Sequence, residues 1–412
     1  MFNRPVKQSF VVSSLNKYHE SDIRYTLQIC QWLLKPIGIW IPIYGCTAIH
    51  EKIISSILII MCLCLLSFVL FPASHYVFFR EQDVNMQLQQ LGPIIYCVTS
   101  TIKYCYLILK ASTFGQCIEH IETDWKMIDD PRHRSIMLRN VTIGRHLTTM
   151  NVLFLYTGGL FYYIVLPLLS KKTIGNVTSR TLVYPGYDIF FDATASPTYG
   201  IVFCCHCLYA CITYNITTAA CNLAAVFVTH TCGQIQIQMQ RLESVVQLYR
   251  TQRPHSNDPL TVIVMEHIRV LRFSGYVEDV LREILLMELL SSTLFICLSE
   301  YYCITAWTGS NIMAILAYSV FLVAFSLNIL IFCYIGELLI DQVFKETSLA
   351  HYLIPDWYRL PVKASRGLVL IMAMSINPVK IAPGRLVSPS TSTFGNVSQS
   401  VLSQNIENSV FK

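Results

Sequence analysis

FCYIGELLIDQ at residues 332–342 closes an apolar run and hands the chain to DWYRLPVK at 356–363. A short apolar stretch follows at 367–376, then Lys380 and Arg385, then STFGNV at 392–397. Ten apolar residues cannot cross a hydrocarbon core about 30 Å thick. With basic residues on both flanks, 367–376 reads as a helix packed in a cytoplasmic core. Upstream of it, apolar residues come in long blocks rather than at amphipathic spacing. Hydrophobic residues make up 53% of the 412 positions and charged residues 13%, roughly half the charged share of a soluble domain. Blocks and composition together specify an all-α polytopic membrane protein.

Six segments of about 20 residues are long enough to cross: 53–71, 88–109, 147–169, 199–228, 284–307 and 312–335. Backbone groups in lipid must be satisfied within the segment, so each is a helix. The second is interrupted at Gly92 and Pro93 and carries Lys103, which either snorkels or faces a protein interior. The fourth runs on into HTCGQIQIQMQRLESVVQ (230–247), and the fifth is preceded by a long amphipathic approach at 260–290. Both should therefore project beyond the bilayer on one side, with QRPHSNDP (252–259) as the breaker between them. Before the first crossing, Ile23, Leu27, Cys30 and Leu34 share one face of an amphipathic helix lying at the membrane surface and stopped by Pro36.

Lys and Arg set the orientation. With the N-terminus inside, cytoplasmic segments hold twenty-four and outer segments five, a strong positive-inside bias. The formal charge of +5 is thus a topology effect and does not point to nucleic acid. A seventh crossing must use residues 387–411 and leave the C-terminus extracellular. No apolar core lies near Met1, so no signal peptide is expected. The resulting organisation is a cytoplasmic tail at 1–52, helices one to four at 53–228 and a cytoplasmic helical extension at 229–283. Helices five and six follow at 284–335, an anchor segment with the first half of helix seven at 336–386, and its second half at 387–412.

Several function classes fail on the residues. A G-protein-coupled seven-helix receptor, the first alternative, puts its N-terminus outside. The outer loops 72–85 and 170–196 contain no cysteine for the disulfide of its rhodopsin-like members, and no Asp-Arg-Tyr follows helix three. A small-molecule transporter, the second alternative, lacks an internal repeat and a pair of broken helices at matching positions. Eleven histidines occur without metal-binding spacing, and there is no Gly-rich phosphate loop, so an enzyme is not expected. Cys204, Cys205, His206 and Cys207 are consecutive and point about 100° apart on a helix, so they cannot converge on one metal. Neither metal nor cofactor is expected. Glu288 and Glu300, near the ends of helix five, are read as reaching the interfaces.

Fixed phrases add what spacing cannot. WLLKPIGIW (32–40), SPTYGI (196–201), HTCGQ (230–234), EHIRVLRF (266–273) and FICLSEYY (295–302) precede FCYIGELLIDQ, DWYRLPVK, LVLIMAMS (368–375) and STFGNV. In this order they resemble an insect odorant receptor, most closely the hymenopteran branch, over the chain up to about Val397. The resemblance implies seven helices of inverted topology, assembled with a shared co-receptor as a heterotetramer. It also implies an odorant-gated non-selective cation channel in the plasma membrane of olfactory sensory neurons. Volatile ligands are then expected among the outer halves of helices two, three, four and six. The candidates are Leu91, Ile94, Ile95, Val98, Tyr156, Gly159, Tyr163, Phe203, Cys207, Met313, Leu316 and Tyr318, with His206 one step round from Cys207. Val397, Val401 and Gln404 are expected to line the pore, and Asn176 in the long outer loop to be glycosylated. The tail after Gly395 is more polar than the family pattern. Either it forms a water-lining helix with one apolar stripe, or this subunit contributes a poor pore wall.

Overall fold

A computed structural model describes residues 16–45, 48–128, 130–160, 197–251, 259–308 and 312–352, with short pieces at 163, 172–174, 177–179, 182 and 184–187. The expected seventh crossing, most of the anchor segment, and Val397, Val401, Gln404 and Asn176 lie outside the described residues. What is described is almost entirely helical. The helices are α1 (His19–Leu34), α2 (Trp40–Tyr44), α3 (Ile49–His75), α4 (Val84–Leu109), α5 (Ala111–Met127) and α6 (Pro131–Leu160). Then come α7 (Thr198–Thr251), α8 (Pro259–Thr308) and α9 (Ile312–Tyr352). Strands β1 (Lys172–Ile174) and β2 (Val177–Ser179) form a small antiparallel pair in the loop before α7.

Among the described residues, four helical stretches are long and apolar enough to cross a membrane: Ile49–Arg80, Met86–Leu109, Thr198–Val245 and Ile312–Gln342. The third and fifth expected crossings fall on α6 and α8, which carry more charge. At 1.5 Å per residue, the 54 residues of α7 and the 50 of α8 run about 80 and 75 Å, far beyond one hydrocarbon core. Helix α9 does not stop at 335. FCYIGELLIDQ continues it to Tyr352, so this phrase is helix interior. Gly92 and Pro93 do not interrupt α4 either. Gly92 lies close to Phe295 and Leu298 of α8.

Helix α7 is the centre of the bundle. It packs against α6, α8, α9 and α1, and nearly every residue from Ile212 to Gln234 is buried. Small residues at Ala219, Ala220, Ala224 and Ala225 allow close approach of its neighbours. The apolar stripe of α1 is covered by protein. Leu27, Cys30 and Leu34 are buried, and α1 packs on α5 and α7, so the amphipathic face meets the bundle.

At the end of the bundle where the sequence places the cytoplasm, Asp124 of α5 is a buried hub. It accepts hydrogen bonds from His230 Nε2 at 3.0 Å, from Gln234 Nε2 and from the Arg269 guanidinium, while His120 Nε2 lies 3.2 Å away. His120 also stacks on Phe273, with ring centroids 4.4 Å apart. Burial disfavours the Asp124 carboxylate. The hydrogen bonds from His120 and His230 outweigh it and hold the group well below the usual carboxylate range. The phrases HTCGQ and EHIRVLRF thus meet in space, joined through α5. Nearby, Arg134 forks onto Asp22 with two 2.7 Å bonds, tying α6 to α1. Replacing Asp124 by alanine leaves two buried partners and one partly solvated cation without their acceptor. This should cost about 3 kcal/mol, the low end for breaking a buried pair. Thermal melting of purified protein should show a clear drop for Asp124→Ala, and an unchanged melting temperature would contradict the hub.

Candidate ligand chamber and its polar floor

Toward the Tyr199 end of α7, aromatic side chains from several elements converge. Tyr163 and Tyr184 join hydroxyl to hydroxyl at 2.9 Å, and the Tyr187 hydroxyl lies 3.0 Å from His206 Nε2. Tyr184 presents its ring edge-on to His206 and to Tyr209. Tyr214 lies within ring contact of Tyr96, Tyr156 and Tyr163. Below them Tyr96 meets Phe295 and Phe325, which also stack on each other with centroids 4.3 Å apart. The result is a packed aromatic cluster with a few hydroxyl and imidazole groups, the candidate ligand chamber. Tyr184 and Tyr187 bring the loop before α7 onto it.

The floor of the chamber is ionic. Lys103 of α4 and Glu288 of α8 are both buried and pair at 2.6 Å between Nζ and Oε2. Lys103 also donates to Thr217 Oγ1 of α7 at 3.3 Å and stands 5.9 Å from the centre of the Tyr96 ring. Asn328 of α9 donates to Glu288 Oε1, and Thr217 Oγ1 is 3.2 Å from the Tyr96 hydroxyl. Four helices therefore each place a polar group at one depth. Glu288 does not reach an interface, as its position near one end of the fifth crossing suggests; it turns inward to Lys103. For Lys103 the protein interior is the answer, since an unpaired ammonium in hydrocarbon is costly and a carboxylate at hydrogen-bond distance offsets that.

The twelve candidates from sequence divide three ways. Ile94, Gly159 and Tyr163 are buried at the chamber, with Tyr156 half-buried beside Tyr214. At Gly159 a Cβ would lie 2.1 Å from Cε2 of Tyr214, so glycine is what lets that ring pack. Leu91, Ile95, Phe203, Cys207 and Tyr318 are half-buried; Phe203 stacks on Tyr199, and Tyr318 lies against Tyr302. Val98, Met313 and Leu316 are exposed on the outside of the bundle. The inward face of α7 runs through Val202, His206, Tyr209 and Thr213, one step from Phe203 and Cys207. On α9 it runs through Ala317, Phe321, Ala324, Phe325 and Asn328. Sequence reasoning missed Tyr96, Tyr184, Tyr187, Tyr209, Tyr214 and the three phenylalanines. The usable signal was that polar and small residues turn inward in lipid while aliphatics turn out.

The architecture is that of a polytopic helical membrane protein with an inner aromatic cluster among the described residues. A family model described as 7tm Odorant receptor matches residues 83–402. The chain is 26% identical over 136 residues to Putative odorant receptor 92a of Drosophila melanogaster, a match that spans 33% of this chain and 32% of that one. In structure it is similar to the insect olfactory receptor OR5 from Machilis hrabei, with a TM-score of 0.71 at 14% identity over 93% of this chain and 98% of that one. With OR5 in complex with eugenol the TM-score is 0.74 at 14% identity, over 94% and 100% of the two chains. The chain belongs to the odorant receptor family.

Breaking the floor on one side should be far worse than removing it. Glu288→Leu alone leaves a buried ammonium and should destabilise by about 3–5 kcal/mol, whereas Lys103→Met with Glu288→Leu should recover most of that loss. Melting temperatures of the two single variants and the double variant form the cycle. Single losses that simply add would mean the pair is not formed.

Proposed function

We propose that this chain is the ligand-selective subunit of an odorant-gated cation channel, inserted in the plasma membrane of olfactory sensory neurons with its N-terminus cytoplasmic. In this reading seven helices cross the bilayer. The stretches 229–283 and 336–386 form a cytoplasmic anchor, and residues 387–412, with Val397, Val401 and Gln404, face a pore shared with a co-receptor in a heterotetramer. Asn176 then lies outside and is open to glycosylation.

The observation that carries the reading is the chamber. A volatile ligand needs mostly apolar walls with a few polar groups to orient it. The tyrosines around Tyr214, with His206 at 0% exposure, supply both. That the similarly folded OR5 was solved with eugenol, a small phenol, supports the same ligand class. The contact set we propose keeps Leu91, Ile94, Ile95, Tyr156, Gly159, Tyr163, Phe203, Cys207 and Tyr318. It adds His206, Tyr209 and Tyr214, and it releases Val98, Met313 and Leu316 to lipid or a neighbouring subunit. Ligand acts by population shift: it favours the open arrangement only to the extent that it binds that arrangement better.

Co-expression with the co-receptor in a receptor-null cell should give odorant-evoked cation current without G-protein coupling. Current that appears without the co-receptor, or that requires a G protein, would overturn the reading. In the same cells Tyr163→Ala and Phe203→Ala should reorder the odorant response profile. A profile left unchanged by both would remove the chamber as the ligand site.

A further inference from the structure

The Lys103–Glu288 floor is not chemically saturated. An ammonium carries three N–H donors. Those of Lys103 meet Glu288 Oε2 and Thr217 Oγ1, so one donor has no partner among the described residues. Asn328 is 1% exposed; its Nδ2 donates to Glu288 and lies 3.5 Å from Ser292 Oγ, while its Oδ1 has no hydrogen-bond partner among the described residues. Lys103 and Asn328 bind opposite oxygens of one carboxylate, so the spare donor and the spare acceptor flank the same group. Buried polar atoms are nearly always paired.

Tyr96 links this node to the chamber. Its hydroxyl shares Thr217 with Lys103, and its ring lies over the ammonium while packing on Tyr214, Phe295 and Phe325. We propose that Lys103 and Asn328 form a polar subsite that reads the hydroxyl group of an odorant, with Tyr96 as the wall between it and the apolar chamber. A hydroxyl donates once and accepts, which matches one spare acceptor and one spare donor. An ether can only accept, and it leaves Asn328 Oδ1 unmet. Ligand selectivity in this receptor therefore includes a preference for volatile alcohols and phenols over their O-methyl ethers. The inference rests on the chamber being the ligand site and adds the functional group that the site selects.

The test uses the full chain with its co-receptor and matched pairs of volatile alcohols or phenols and their O-methyl ethers, read as half-maximal concentrations of evoked current. Wild type should prefer the hydroxyl member by about tenfold, the size of one buried hydrogen bond. Asn328→Leu should abolish the preference by weakening the alcohol response while leaving the ether response in place. A purely structural Asn328 would lower both responses together, and that result overturns the subsite. Should Asn328→Leu fail to reach the cell surface, Asn328→Ser, whose shorter polar side chain ends short of the Oδ1 position, is judged on the same ratio. Robust wild-type currents with no hydroxyl preference also overturn the subsite while leaving the receptor reading intact. Wild-type silence to every volatile would count against that reading, and the subsite would fall with it.

Discussion

An ammonium and a carboxylate that meet in the middle of an apolar bundle constrain everything around them. Lys103 and Glu288 are 185 positions apart in sequence and 2.6 Å apart in space. The pair is tolerable only while α4 and α8 stay in register, and Thr217 and Asn328 extend the requirement to α7 and α9. Hydrophobic burial cannot drive helices together where lipid is as apolar as leucine, so association depends on close packing and on such polar contacts. Alanines along α7 supply the close packing. The Lys103 node supplies the register, and the Asp124 hub joins two of these helices, α7 and α8, to α5.

These two polar centres differ in what surrounds them. Asp124 is held by three helices and by side chains from two recognisable phrases, with Arg269 partly in solvent. Its carboxylate accepts from His230, Gln234 and Arg269. The Lys103 node is fully buried and is joined to the aromatic rings through Tyr96.

Much of the fold could be read from the chain. Long uncharged runs gave the apolar helices, and HTCGQIQIQMQ with its amphipathic counterpart gave the projecting length of α7 and α8. FCYIGELLIDQ was harder, because the apolar run closes there while the helix continues to Tyr352. The site was less legible. Helices such as α7 and α9 are apolar all round, so periodicity does not say which face turns inward. Phe203 and Cys207 are half-buried beside the inward-facing His206 and Tyr209, whereas Met313 and Leu316 lie on the exposed face of α9 and Phe321 and Phe325 on its buried one. Lys103 was visible as an anomaly, but its partner could not be named, since Glu288 sits among several acidic residues near the fifth crossing. Only packing selects it.

The central claim is that small volatile ligands occupy the aromatic chamber above the Lys103–Glu288 floor. The most direct measurement is a cryo-electron-microscopy map of the chain assembled with its co-receptor in the presence of an activating odorant. The account predicts ligand density enclosed by Tyr96, Tyr156, Tyr163 and Tyr214. Density at another site, with those four rings packed as they are here, would contradict it.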